Sequence, residues 1–286
     1  MRGRACRLWL MCLLGPLLLA GCASTASDPR ARQPMQGFAP LPEDSRVWVE
    51  QGAEDYGRRV SARLDAAIAK VEAAHFLPFA RPPRVYVCAS ESCFRRHVLT
   101  PRLSAAVIPD NRLILSPKLD GRESWRLQNL MVHELAHLHL GQRVGHYHYN
   151  IPVWFHEGWA SLAAEGGGAD YATDEDVYQA IRAGRRVNLA TRDTRDRRHR
   201  ANASGLGIYE FYRQSMLLVR WLKTEDEARF RALVLAIQAN TDFHIAFWDV
   251  YGQSPSARFA GFFDSVLADA PAAAEDVPIQ AAPAQP

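Results

Sequence analysis

The run His133-Glu134-Leu135-Ala136-His137, followed further on by Trp154-Phe155-His156-Glu157-Gly158, holds the side chains of this 286-residue chain best suited to chemistry. On a helix, two histidines four positions apart project from one face. Both imidazoles can then bind a single Zn²⁺ ion, with Glu134 beside them to handle protons. A catalytic zinc site takes three protein ligands and keeps a fourth position for water. Glu157 is the natural third ligand, and the chemistry of such a set is hydrolysis.

Those side chains need rigid elements behind them. Ser124 suits the N-cap of a helix running to about Leu140, with Gly141 placed to end it. On that helix Leu127, Met131, Leu135 and Leu138 form a core-facing stripe, and Leu130, His133, Glu134 and His137 form the stripe beside it. Pro152 suits the first turn of a second helix with Trp154, Glu157 and Ser161 on one side. Gly158 would let another helix approach closely there. Upstream, apolar spacing across residues 47–76 (Val60, Leu64, Ala67, Ile68, Val71) predicts an amphipathic helix, which Pro78 ends. Residues 84–88 have the β-branched and aromatic bias of a strand, and residues 105–108 and 112–116 flank a Pro109-Asp110-Asn111 turn as an antiparallel hairpin. After Gly166-Gly167-Gly168, helical patterns cover residues 174–181, 208–222 and 225–238. The expected fold class is α+β: a small mixed sheet with the active-site helix, a mainly helical C-terminal subdomain, and a cleft between them.

The ends carry other signals. Arg2, Arg4 and Arg7 precede an apolar stretch, residues 8–19, too short to span a bilayer as an ordinary helix. Leu19-Ala20-Gly21-Cys22 closes it and resembles the lipobox of bacterial lipoproteins. By that resemblance residues 1–21 are a signal peptide and Cys22 becomes the acylated first residue, a lipid anchor in the membrane. Ala23 after the cysteine implies the outer membrane, facing the periplasm. Residues 22–44, rich in Ala, Pro, Ser and Gln, read as a flexible tether. Residues 45–267 form the folded domain, and the Ala/Pro-rich residues 268–286 read as a disordered tail. Cys6 and Cys12 leave with the signal, so Cys88 and Cys93 remain as a pair; an oxidising compartment favours a disulfide over a metal site. Thirty-four Lys and Arg against thirty-one Asp and Glu give a net charge of +3, which argues for no particular partner and for no nucleic acid. Arg185, Arg186, Arg192, Arg195, Arg197, Arg198 and Arg200 crowd one stretch, best read as a solvated loop.

His-Glu-x-x-His followed by Pro-x-Trp-Phe-x-Glu-Gly-x-Ala resembles the gluzincin metallopeptidases, in particular the peptidase MA-like group, across residues 112–222. Carried over by position, the resemblance implies a zincin-like fold with His133, His137 and Glu157 as zinc ligands and Glu134 as general base. It implies a downstream Tyr as oxyanion donor. Tyr212 stands where the group commonly has one, and Tyr209 competes one turn away. It also implies an edge strand before the zinc helix to receive a substrate peptide, which residues 112–116 fit. Two departures are visible: nineteen residues separate His137 from Glu157, one more than in the aminopeptidases, and the Gly-x-Met-Glu-Asn element that recognises a free amino terminus is absent. The resemblance therefore implies an endopeptidase acting on envelope proteins or peptides. A zinc-binding assembly factor with little turnover, and an esterase or amidase on cell-wall material, are the competing functions. A third histidine ligand is not expected, because Leu140 and Arg143 stand where the metzincin pattern needs Gly and His. His139 points elsewhere on the helix, and His146 and His148 read either as residues at the entrance to the cleft or as part of a wet loop.

Overall fold

A computed structural model of the chain describes residues 35–98, 100, 102–108, 112–145, 150–190 and 201–269. The signal sequence, Cys22, the 109–111 turn, His146, His148, Arg192 to Arg200 and the tail from residue 270 lie outside the described residues.

Five strands form one sheet: β1 (Phe38–Pro40), β2 (Val47–Glu50), β3 (Arg84–Val87), β4 (Ala105–Ile108) and β5 (Arg112–Leu115), in the order β1-β2-β3-β5-β4. The outer pairs β1/β2 and β4/β5 are antiparallel, while β2, β3 and β5 run parallel. Helix α1 (Glu54–His75) is the crossover that makes β2 and β3 parallel. Side chains alternate across the sheet. Val85, Val87, Leu113 and Leu115 are buried against α1 and the metal-motif helix, α3 (Leu127–Val144). On the opposite face Tyr86 and Ile114 pack with Phe94 of α2 (Glu91–His97) and with the Cys88–Cys93 disulfide, which closes a short loop beside the sheet.

A second core is helical. It gathers apolar side chains from α4 (Val153–Ala163), α5 (Asp174–Arg182), α6 (Ile208–Glu225), α7 (Glu227–Gln238), α8 (Phe243–Tyr251) and α10 (Ala260–Ala268), the last reached through a short α9 (Pro255–Arg258). Trp154, Phe155, Phe211, Phe230, Phe243 and Phe247 are fully buried in it. Each such ring removed from water contributes about 1.5–3 kcal/mol before the entropy of ordering is set against it. The chain is thus α+β, with α3 lying between a sheet core and a helix core.

Five expectations need correction. Residues 47–50 are a strand: Val47 and Val49 point inward while Trp48 and Glu50 do not, and Gly52, at φ +89°, turns the chain before α1 begins at Glu54. Phe38–Pro40, placed in the tether, pairs with β2 and forms one margin of the sheet. Helix α3 does not stop at Gly141; it continues to Val144, and Gly145, at φ +55°, closes it by donating to the Gly141 carbonyl. Ser124 sits in a 3-10 turn ahead of the helix. The edge strand next to α3 is β4, because β5 is enclosed between β3 and β4.

Candidate metal centre

Helix α3 presents His133 and His137 one turn apart, and α4 brings Glu157 to meet them. The Nε2 atoms of the two histidines are 3.1 Å apart, and Glu157 Oε2 lies 3.3 Å from the first and 3.4 Å from the second. A tetrahedral Zn²⁺ with bonds of about 2.0–2.1 Å places its ligand atoms ~3.3–3.4 Å from one another. The three side chains therefore describe one face of such a tetrahedron. All three are buried, Glu157 completely. Among the described residues, no other three His, Asp or Glu side chains converge in this way; the further cluster, Glu50 with Cys88 and Cys93, has its thiols committed to the disulfide.

Close packing puts Glu157 there. Gly158, the next residue, lies so near α6 that a Cβ built on it would stand 2.3 Å from the Ser215 carbonyl oxygen. Only glycine allows that approach, as the sequence suggested. Beneath the site, Trp154 and Phe155 of α4 are held in the helical core.

The imidazoles are oriented from behind. His133 Nδ1 lies 2.9 Å from the carbonyl oxygen of Gly167. A carbonyl only accepts, so Nδ1 donates and the Nε2 lone pair faces the cluster, the tautomer a metal ligand needs. Ser161, one turn after Glu157 on α4, adds its hydroxyl 3.3 Å from the same nitrogen. His156 stacks its ring on His137, with centroids 4.3 Å apart. Burial, followed by the neighbouring His156, pushes His137 well below the ordinary imidazole range, so it is neutral and able to ligate.

Glu134 follows His133 in α3 and remains partly exposed, and its Oε2 accepts from the Val107 backbone N–H of β4 at 3.1 Å. Tyr212 on α6 lies near the cluster, its ring almost parallel to His133 with centroids 6.1 Å apart. Tyr209 packs instead against Tyr171, with centroids 4.8 Å apart. His139 is directed away: its Nε2 donates to the Leu77 carbonyl, leaving Nδ1 to accept from His75 Nδ1 at 2.9 Å.

Several of these partners were not anticipated from sequence. The Gly167 carbonyl and the Val107 amide are backbone atoms, which no residue type announces. Ser161 had a usable signal, since it stands four positions after Glu157 on the same helical face. His156 had one as the neighbour of Glu157.

No protein-family profile matches the chain, and no curated protein does. Among solved structures similar to it is that of native yeast LTA4 hydrolase, at 14% identity and a TM-score of 0.49, covering 80% of this chain. The chain spans 38% of that protein's length.

Proposed function

We propose that the protein is a zinc-dependent metallopeptidase, an endopeptidase acting on proteins or peptides of the cell envelope. The observation that supports this most is the convergence of His133, His137 and Glu157, with a carboxylate next to the first ligand on the same helix. A Zn²⁺ ion in that donor set supplies Lewis acidity and makes bound water acidic, to a pKa near ~7. The remaining work falls to the chain. Glu134 takes a proton from the attacking water and delivers it to the leaving amine. Tyr212 donates a hydrogen bond to the oxygen on which charge develops as the carbonyl is attacked. Strand β4 receives the substrate: in its antiparallel pairing with β5, the backbone groups of Ala105 and the carbonyl of Val107 point outward, where an extended peptide can pair, while the Val107 N–H holds Glu134.

Attachment through a lipidated Cys22, in the outer membrane facing the periplasm, belongs to the same proposal and rests on the lipobox resemblance. Among the described residues, no helix is long and apolar enough to cross a membrane.

The experiment compares zinc content and casein cleavage for the unaltered protein, Glu134→Gln and His137→Ala. Zinc kept but cleavage lost in Glu134→Gln, with both lost in His137→Ala, is the expected pattern. Zinc binding without cleavage of casein or of any envelope extract by the unaltered protein would favour the assembly-factor reading.

A further inference from the structure

The hydrogen bond that orients His133 comes from a turn of three glycines, Gly166-Gly167-Gly168, and that turn is itself tethered. Asp170 Oδ2 accepts the Gly168 N–H at 3.1 Å and, on the same oxygen, two donors from Arg126, at 3.1 Å from Nε and 2.9 Å from Nη2. Both ion-pair side chains are more than nine-tenths buried. The third guanidinium nitrogen, Nη1, donates to Glu123 at 2.7 Å, and Glu123 in turn accepts from Ser104, the residue just before β4, at 2.6 Å. One buried guanidinium therefore links the start of the edge strand to the turn behind a metal ligand.

The turn tolerates no substitute. Gly166 and Gly168 stand at φ +100° and +86°, and a Cβ on Gly168 would lie 2.5 Å from His133 Cε1. Consecutive glycines carry more conformational freedom than any other sequence. Backbone hydrogen bonds from Gly166 to Ser161, Gly167 to Ala164 and Ala169 to Gly166 shape the turn, and the Gly168 N–H that Asp170 accepts belongs to the same peptide unit as the Gly167 carbonyl that meets the imidazole.

We propose that Asp170, held by Arg126, is a positioning residue for the metal centre: through the Gly168 amide it fixes the turn whose Gly167 carbonyl aims His133. The proposal rests on the metal-centre reading. Outer partners of metal-bound histidines are worth roughly 10–100-fold in metal affinity.

The test titrates Zn²⁺ into metal-free protein against a chromogenic chelator and records the visible spectrum of the Co²⁺-substituted protein. Asp170→Ala is expected to lose 10–100-fold in zinc affinity and to shift the Co²⁺ bands. Asp170→Asn keeps one oxygen for all three donors and is expected to stay within about threefold of the unaltered protein. Equal affinity and unchanged bands in a folded Asp170→Ala would overturn the proposal, and so would a tenfold or greater loss in Asp170→Asn. If Asp170→Ala does not fold because Arg126 is stranded, the double replacement Arg126→Met with Asp170→Leu leaves no charge in that pair and is judged by the same criteria, while the Asp170→Asn criterion stands regardless. No zinc bound by the unaltered protein would remove the metal centre and this proposal together; zinc bound alike by both proteins removes this proposal alone.

Discussion

Gly158→Ala is the sharpest probe of how Glu157 is delivered to the His133–His137 pair. The added methyl would sit 2.3 Å from the Ser215 carbonyl oxygen, 2.6 Å from its carbon and 2.9 Å from Val219 Cγ2. The first two are backbone atoms of a helix, so no rotamer change relieves them. Ordinary contact begins near ~3.5 Å, so α4 and α6 must separate locally by roughly 1 Å. Such overpacking costs about 1–3 kcal/mol, partly offset by the ~1 kcal/mol by which alanine outdoes glycine inside a helix. Glu157 moves with its neighbour. Its Oε2 now stands 3.3 and 3.4 Å from the two imidazole nitrogens, and a shift of that size takes it off the tetrahedral edge. The assay is thermal unfolding with excess chelator and then with a fixed excess of free Zn²⁺. Stability contributed by a ligand follows RT ln(1 + [L]/Kd), so each tenfold loss of affinity removes ~1.4 kcal/mol of the zinc-dependent part. The metal-free variant should melt lower, and its zinc-induced increase should be smaller by at least one such step. A variant that matches the unaltered protein in both measurements would refute the argument that helix contact sets the position of Glu157.

Tyr212→Phe should lower kcat about 10²–10³-fold with zinc content and KM little changed, while Tyr209→Phe stays near full activity; steady-state kinetics on one peptide decides between the two rings. Asp44 gives a pH prediction. Hydrogen bonding from the Arg46 side chain holds its carboxyl below the ordinary range, assisted by the Arg46 backbone amide and by Ser61. A depressed folded-state value means that this stabilisation is fully present above about pH 4 and is lost as pH falls through the lowered value. Asp44→Ala should therefore cost about 1–3 kcal/mol in urea unfolding at neutral pH and show a flatter stability profile below pH 4. Cys22→Ser should release the protein from the membrane fraction and abolish incorporation of labelled fatty acid; membrane retention with label would contradict the lipobox reading.

What sequence made legible follows from how local each feature is. His133 and His137 share a face by spacing alone, and Pro152 and Gly158 flank Glu157 with residue types whose reasons are steric. The sheet was harder. Val47 to Glu50 reads as part of a helical pattern because the strong periodicity from Val60 to Val71 masks a four-residue strand. The edge position of β4 depends on β3 choosing β5 as its parallel neighbour, a pairing between residues far apart in sequence. For the three helices described after Gln238, sequence predicts only a mainly helical C-terminal subdomain, without boundaries. Arg126 and Asp170 lie 44 positions apart, and each alone reads as a surface charge.

The placement of α3 between two cores bears on when the centre comes into being. His133 and His137 belong to a helix packed on the sheet, and Glu157 to a helix rooted in the other core. On the zinc reading, an emerging chain would offer an ion only an imidazole pair, a weak and unselective grip. Full chelation would wait until the halves dock, so metal would arrive late and act as a latch: the rate of refolding should hardly respond to it, and the lifetime of the finished protein should lengthen.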